Sequence, residues 1–282
     1  MRNFDDFESA IRRDPAQRGL IASEPQFGPV CPGHFAQAAT HLAQGASRVA
    51  IVTGFYIPRG EPPAAETDGP PGTLILARTL LELGIECCLI TDALCFGAVQ
   101  AAAISSRFPV ENLLCYPYPH APDADPGQTN LWCRDFWDHG WGRGLTHLIA
   151  IERVGPSHTP DSLERQFRHT PAPQKSFLER VPPEHRNRCH NMRGEIINAY
   201  AGDLHRLFEE CSLHAPQAKT IGIGDGANEI GMGAATWEDL VRRLSGEHAG
   251  WIPCRIATDW NIVAGTSNWG GFALAAAVAA LR

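Results

Sequence analysis

The sequence has little lysine and no dense run of basic residues. Its 282 residues include 24 Lys and Arg against 31 Asp and Glu, for a formal net charge of -7 at pH 7. Lys175 and Lys219 are the only lysines. Without a cluster of basic side chains, the chain lacks the electrostatic footprint that nucleic acid or an anionic membrane surface requires. We therefore expect neither partner.

Signals for disulfides, structural zinc and membrane insertion are also missing. The nine Cys form no CxxC pair and no Cys/His spacing of the zinc-finger type, which favours a reducing, cytoplasmic location. Residues 1–14 carry Asp5, Asp6 and Glu8 without an apolar run, so no signal or transit peptide is expected. No apolar run approaches the ~18 residues of a membrane span, and 272–281 are interpreted as a buried terminal helix.

The pattern of apolar runs predicts an α/β fold. Short β-branched or apolar runs alternate with longer Ala- and Leu-rich stretches, as in a three-layer, mostly parallel, Rossmann-like sheet with helices on both faces. Strands are expected over 48–54, 86–92, 112–118, 146–152, 219–225 and 254–259, with 261–265 as a short seventh. Helices are expected over about 34–45, 72–83, 93–106, 194–212, 236–244 and 269–281.

Two long loops interrupt this alternation. Residues 57–71 are proline-rich and acidic, and residues 153–194 are too long for a plain connection, so we interpret the second segment as a lid or side excursion. No internal repeat or linker divides the chain. Residues 1–282 are therefore predicted to form a single domain with long functional loops.

Carboxylates follow most of the predicted strands. In an open α/β sheet, ligands bind outside the carboxyl ends of the strands, so these groups are expected to converge there. Grouped carboxylates need a cation, and oxygen ligands suit magnesium, manganese or a substrate ammonium. Each residue alone also fits a helix cap or turn. The residues are Glu66, Asp68, Asp92, Glu152, Asp225, Glu229 and Asp259.

The stretch GIGDGANEIGMG (222–233) loosely fits the dinucleotide fingerprint GxGxxG/A. It follows the fifth predicted strand, whereas a dinucleotide loop usually follows the first, so NAD or FAD is not expected. Lys219 precedes the same strand, at the edge away from the crevice, so pyridoxal phosphate (PLP) is not expected either. The polar residues Asp225, Asn228 and Glu229 favour a polar site over a bare glycine turn.

Other segments offer ligand-binding groups beside structural alternatives. Gly72 lies in a Gly-Pro-Pro-Gly helix start that could bind an anion or simply stiffen the helix entry. Arg153 is expected to pair with a neighbouring acid, and Arg193 is a candidate clamp for a carboxylate. His190 could be a general base or a surface residue. Asn268 could cap the last helix or point into the crevice.

Six motifs in order resemble the D-glutamate cyclase C-terminal domain family. They are VTGF (52–55), ETDGPPG (66–72), IERVG (151–155), NMRG (191–194), GIGDGANEIGMG (222–233) and SNWGG (267–271), and together they span almost the whole chain. The resemblance implies a lyase that converts D-glutamate, a small-molecule substrate, to 5-oxo-D-proline with loss of water. It also implies assistance by a divalent cation, manganese or magnesium.

The resemblance and the strand-end positions together suggest roles for individual residues. The catalytic candidates are Glu152, Asp225 and Glu229, and the metal-ligand candidates are Glu152, Asp225 and Asp259. The substrate-binding candidates are Thr53, Asp68, Gly72, Arg193, Asn228 and Asn268. Two alternatives stay open: a metal-dependent binding or sensor module for a phosphorylated or nucleotide ligand, and a metal-dependent amide or lactam hydrolase. A homo-oligomer is compatible with the sequence.

Overall fold

A six-stranded parallel sheet forms the centre of the molecule, as the sequence predicts. The computed structural model describes residues 4–118, 125 and 127–282. The strands are β1 Arg48–Thr53, β2 Tyr56–Ile57, β3 Ala64–Ala65, β4 Glu86–Asp92, β5 Leu113–Tyr116, β6 His147–Ile151, β7 Lys219–Gly224 and β8 Trp260–Val263. The sheet order is β5-β4-β1-β6-β7-β8, and β2 and β3 pair separately. This is the strand order of the Rossmann fold.

Helices cover both faces of the sheet. Helices lie in the connections between successive strands of the sheet, so each connection returns the chain to the amino-terminal edge, as parallel pairing requires. The α-helices are α1 Phe4–Ile11, α2 Glu24–Phe27, α3 His34–Gly45, α4 Pro70–Glu82, α5 Ala93–Ser105, α6 Gln128–Asp138, α7 Pro160–Arg165, α8 Gln174–Arg180, α9 His205–His214, α10 Trp237–Arg243 and α11 Ser267–Leu281.

Alternate residues of each strand pack into two separate cores. In β1, Val49 and Ile51 pack in the core that contains α3, α4, α5 and α11. Ala50 and Val52 pack in the core on the other face, with α6, α9 and α10. The alternation follows from the two-residue period of a strand, and it confirms the three-layer arrangement.

The predicted strand 254–259 is wrong. The strand in this region is β8, which begins at Trp260 and pairs with β7 opposite Ile221. Residues 254–259 instead contact loops, because the Ile256 carbonyl accepts hydrogen bonds from the amides of Gly231 and Gly233. Asp259 therefore precedes its strand and lies at the amino-terminal edge of the sheet.

The predicted helix 194–212 is also wrong in its first half. A single 3-10 turn covers Asn198–Tyr200, and α9 starts only at His205. The chain between them is held at Gly202, whose amide donates to Asp92 and whose carbonyl accepts from Arg153. A helix running through Gly202 would lose these contacts to the end of β4.

The long segment 153–194 carries α7, α8 and a 3-10 turn at Pro183–His185. Leu163 and Phe177 form a small core there with Trp237 of α10. Its role as a lid stays a prediction. Within the part of the chain that the structure describes, no helix is both long and apolar enough to cross a membrane.

Candidate active site

A cavity opens where the strand order reverses at the centre of the sheet. The chain leaves β1 toward β4 and leaves β6 toward β7, so the loops after β1 and β6 diverge, the arrangement that forms ligand crevices in such sheets. The cavity has a volume of about 390 Å³. Its lining includes Phe55, Ile57, Glu66, Glu152, Asn191, Met192, Arg193, Glu195, Asn228 and Glu229.

Glu152 is held rigidly at the end of β6. Its backbone has a left-handed φ of 49°, and its amide donates to the Ile223 carbonyl at 3.1 Å. The Ser267 hydroxyl donates to its carboxylate in the interior. Burial, and after it the nearby carboxylates of Glu229 and Asp68, raises the pKa of Glu152 well above its ordinary range. The left-handed conformation at a non-glycine residue is a strained feature of the kind found at functional sites.

Asp225 follows β7 and forms an ion pair with Arg18. The side chain of Asp225 is only 2% exposed and that of Arg18 is 23% exposed. The backbone of Arg18 is fixed by the Asp14 carboxylate, which accepts from the amides of Arg18 and Gly19 at 2.9 Å each. Sequence reasoning missed Arg18, because no motif surrounds it and 207 positions separate it from Asp225, counted along the numbering.

Glu229 and Asn228 both line the cavity. Glu229 Oε1 accepts from the Gly226 amide at 3.0 Å, and Asn228 Nδ2 donates to the His190 carbonyl at 2.8 Å. Glu229 Oε2 and Asn228 Oδ1 are buried, and neither has a hydrogen-bond partner among the described residues. Burial raises the pKa of Glu229 to about 7, although Arg18 and the Gly226 amide oppose the shift.

The glycines at the end of β7 allow close packing. Gly222 and Gly224 lie two positions apart, so both face the same side of the sheet. A Cβ on Gly222 would lie 2.6 Å from the Cα of Gly231, and one on Gly224 would lie 3.0 Å from Glu229 Oε2. The loop after β7 thus folds directly back on the strand. In a dinucleotide loop, by contrast, the glycines open a helix.

Asp68 and Asn268 cap each other's helices. Asp68 accepts from the amides of Ser267 and Asn268 at the start of α11, at 3.0 and 2.8 Å. Asn268 Oδ1 accepts from the amides of Gly69 and Gly72 at the start of α4, at 3.1 and 2.7 Å. The Gly72 amide is therefore bound to Asn268, which corrects the prediction that this helix start binds a substrate carboxylate.

Asp92 forms a structural ion pair away from the cavity. Its carboxylate lies 2.6 Å from the Arg153 guanidinium, and it accepts from the amides of Gly202 and Cys95. Burial alone would raise the pKa of Asp92, but Arg153 and these amides hold it below its ordinary value. The predicted pairing of Arg153 with an acid is confirmed.

Asp259 does not join the other carboxylates. It accepts from Lys219 Nζ at 3.2 Å and from the Thr220 amide and hydroxyl at 2.8 and 2.9 Å. These partners belong to the start of β7, whereas Asp225 follows its end. The prediction of Asp259 as a metal ligand is corrected, because it depended on a strand ending at this residue.

The other sequence candidates lie near the cavity in different settings. Arg193 is exposed at the cavity wall. Thr53 is fully buried at the end of β1, and its hydroxyl makes no hydrogen bond to the residues described. His190 is buried, with Nε2 at 3.0 Å from Nδ1 of His185, so it is not a surface residue. Burial and the charge of His185 lower the pKa of His190 to about 3, which keeps its ring neutral.

Three carboxylates form a group that suits a hard divalent cation. One oxygen each from Asp68, Glu152 and Asp225 lies within 4.8 Å of the other two. The donors are all oxygen, as magnesium and manganese prefer. Glu229 and Asn228 line the neighbouring cavity, and their buried Oε2 and Oδ1 atoms have no hydrogen-bond partner among the described residues. The residues present therefore fit such an ion.

The fold and the site define a class: an α/β protein with a Rossmann-type sheet and an acidic cavity at its switch point. Comparison with known proteins narrows this class. The chain belongs to the family described as D-glutamate cyclase-like, C-terminal, whose model matches residues 7–166 and 175–282. It is also similar to the mitochondrial D-glutamate cyclase of Homo sapiens, with 28% identity over 281 residues. That match covers 97% of this chain but 38% of the human protein.

Proposed function

We propose that the cavity cyclises an acidic amino acid, D-glutamate or a close analogue, to the 5-oxoproline lactam with loss of water. Family membership and the similarity to the human D-glutamate cyclase support this reaction class. The observation that carries the proposal is that two buried glutamates, Glu152 and Glu229, line the same cavity. Both have a raised pKa.

Glu229 has the properties of the general base and acid. The substrate ammonium must lose a proton before its nitrogen attacks the δ-carbon, and a base works best when its pKa lies near the working pH. Glu229, with a pKa of about 7, a place on the cavity lining and an unpartnered Oε2, meets that requirement. The nitrogen loses two protons overall, and both leave with one carboxylate oxygen as water, so Glu229 can carry each proton from nitrogen to oxygen.

Asp68, Glu152 and Asp225 would hold a divalent cation. Such a cation supplies Lewis acidity, which offsets the negative charge that makes a carboxylate a poor electrophile. The raised pKa of Glu152 reflects neighbouring negative charge as well as burial, and a bound cation would favour its ionised form. Asp68 keeps its helix-capping contacts in this role, because a carboxylate has about four acceptor sites.

The cavity walls supply groups that recognise the substrate. Arg193 can bind the α-carboxylate, since a guanidinium matches a carboxylate with two parallel hydrogen bonds. Asn228 Oδ1 is an acceptor without a partner in the described part of the chain, and it suits a substrate N–H group. Holding the substrate folded, with nitrogen next to the δ-carbon, supplies the entropic part of the rate enhancement.

The test is direct detection of the lactam. Purified protein is incubated with D-glutamate or L-glutamate, with Mn²⁺ or Mg²⁺, and 5-oxoproline is measured by mass spectrometry. Product from one enantiomer, lost in Glu229→Gln, supports the proposal. If neither enantiomer gives product with either cation, the proposal fails, and calorimetric titration with nucleotides and lactams then tests the binding-module and hydrolase alternatives.

A further inference from the structure

Arg18 separates two cavities. The first is the cavity at the switch point, and the second, of about 400 Å³, lies against the starts of α4 and α11. Arg18 and Glu66 line both cavities, and Asp225 lines the second. Arg18 and Glu66 therefore lie between the two cavities, and the Arg18–Asp225 ion pair borders the second.

The guanidinium of Arg18 places a positive charge among the carboxylates of the site. It pairs with Asp225, one of the three residues whose oxygens lie close enough to share a cation. Its charge also acts on Glu66 and Glu229 in the same cavity. A buried carboxylate without a positive partner is costly, so this pairing stabilises the site in the form described here.

Only the backbone of this residue is firmly anchored. The Asp14 carboxylate holds the amides of Arg18 and Gly19, and Gly19 packs against the Arg243 carbonyl. The Arg18 side chain itself is partly exposed and borders open space on two sides. The contacts that fix the backbone of residues 14–19 therefore do not themselves restrain the guanidinium.

We propose that Arg18 is an internal counter-ion that occupies the cation position at Asp225 and competes with a divalent cation for that carboxylate. The inference rests on the cation site of the proposed function. Its independent support is that Glu229 and Asn228 line the same cavity, and that their buried atoms Oε2 and Oδ1 lack partners among the residues described. Arg18 does not hydrogen-bond to these atoms, so they indicate that the cavity binds a further ligand.

This competition links binding of the cation to binding of the substrate. When a cation takes Asp225, the guanidinium of Arg18 is released next to the first cavity, where a substrate carboxylate can bind it. Cation and acidic substrate are then expected to bind with positive cooperativity, since each makes the other's partner available.

The test is Mn²⁺ binding in the absence of substrate, by isothermal titration calorimetry and by the electron paramagnetic resonance signal of free Mn²⁺. Arg18→Gln is expected to bind Mn²⁺ at least about tenfold more tightly than the unaltered protein, because Asp225 loses its competing partner. Arg59→Gln is the matched control. Arg59 lines the same cavity but is 76% exposed and pairs with Glu195, so its removal is expected to change affinity less than about twofold.

Equal or weaker Mn²⁺ binding by Arg18→Gln overturns the inference, provided that its circular-dichroism spectrum and melting curve show a folded protein. If Arg18→Gln does not fold, Arg18→Lys replaces it: weaker pairing by the ammonium is expected to raise Mn²⁺ affinity, and unchanged affinity overturns the inference. Asp225→Asn should weaken binding in every background. If the Mn²⁺ affinities change as expected but no lactam forms, only the proposed reaction is contradicted. Absence of Mn²⁺ binding in all variants sinks the counter-ion and the cation site together.

Discussion

Asp68 and Asn268 exchange capping contacts across 200 positions of sequence: Asp68 accepts from amides at the start of α11, which contains Asn268, and Asn268 accepts from amides at the start of α4, which follows Asp68. The exchange fixes α4 and α11 side by side at the carboxyl edge of the sheet. It also places Asp68 next to Glu152 and Asp225. The contacts that cap the two helices therefore also hold Asp68 in the acidic site.

Replacing Asn268 by Ala is expected to lower the free energy of unfolding by about 1–2 kcal/mol, the usual cost of losing a helix cap. Urea denaturation measures the change. Asn130→Ala is the control, because Asn130 is exposed and its side chain accepts from Arg206 at the surface; its effect should stay within about 0.5 kcal/mol. Equal effects of the two substitutions would contradict the capping role of Asn268.

Replacing Glu229 by Gln is expected to lower kcat by about 100- to 10,000-fold, the range associated with loss of a general base. The fold should persist, since glutamine matches the shape of glutamate and needs no charge in the interior. Oxoproline formation and the melting temperature are measured together. Glu195→Gln, at the rim of the same cavity, should retain turnover. Undiminished turnover in Glu229→Gln removes that residue from the chemistry.

The pH profile of kcat/KM should rise through neutrality. A general base acts in its ionised form, and the pKa of Glu229 is raised to about 7, so activity is expected to fall as pH decreases below about 7 and to level above it. Initial rates between pH 5.5 and 8.5, in buffers of constant ionic strength, provide the profile. A flat profile across neutrality would assign the proton transfers to another group.

Acid should destabilise the fold through buried histidines. Burial and the charge of His41 lower the pKa of His147 from 6.5 to about 4, and burial lowers that of His158 to about 3. As pH falls below about 6.5, the unfolded chain binds protons that the folded chain does not, so the free energy of unfolding decreases with pH down to about 4. Each pKa unit corresponds to about 1.4 kcal/mol.

Replacing His147 by Gln isolates this effect. The substitution should flatten the pH dependence of unfolding between about pH 6.5 and 4, whatever it does to stability at pH 8, where the ring is neutral in both states. His139→Gln, an exposed change, should leave the slope as it is. A slope unaltered by His147→Gln would show that His147 is already free to ionise in the folded protein.

The sequence predicted the sheet well because strands buried on both faces are continuous apolar runs. RVAIVT and HLIAI are runs of this kind, and both form strands where predicted. CRIATD has the same appearance, yet its backbone bonds to the glycine loop rather than to β7. Local composition does not encode which partner a short apolar run finds, and Asp259 was misplaced for that reason.

The carboxylate cluster was partly predictable, since Glu152 and Asp225 follow parallel strands whose ends meet. Arg18 was not predictable in the same way. It lies in a loop without periodicity, and its position depends on the Asp14 turn and on the packing of the next residue, Gly19, against Arg243. The reciprocal caps of Asp68 and Asn268 likewise require knowing that two distant helices start next to each other.

Gly222 and Gly224 on β7 limit which parts of the site can change. The loop after β7 packs directly on Gly222 and Gly224, so the sheet fixes the position of Glu229. Adjustment to a different ligand must then occur in the opposite walls, around Arg18 and residues 191–195, where the chain is partly exposed. The wall at Glu229 and the more exposed walls are joined where Asn228 Nδ2 donates to the His190 carbonyl, so a change in residues 191–195 has to keep that contact if Glu229 is to stay in place.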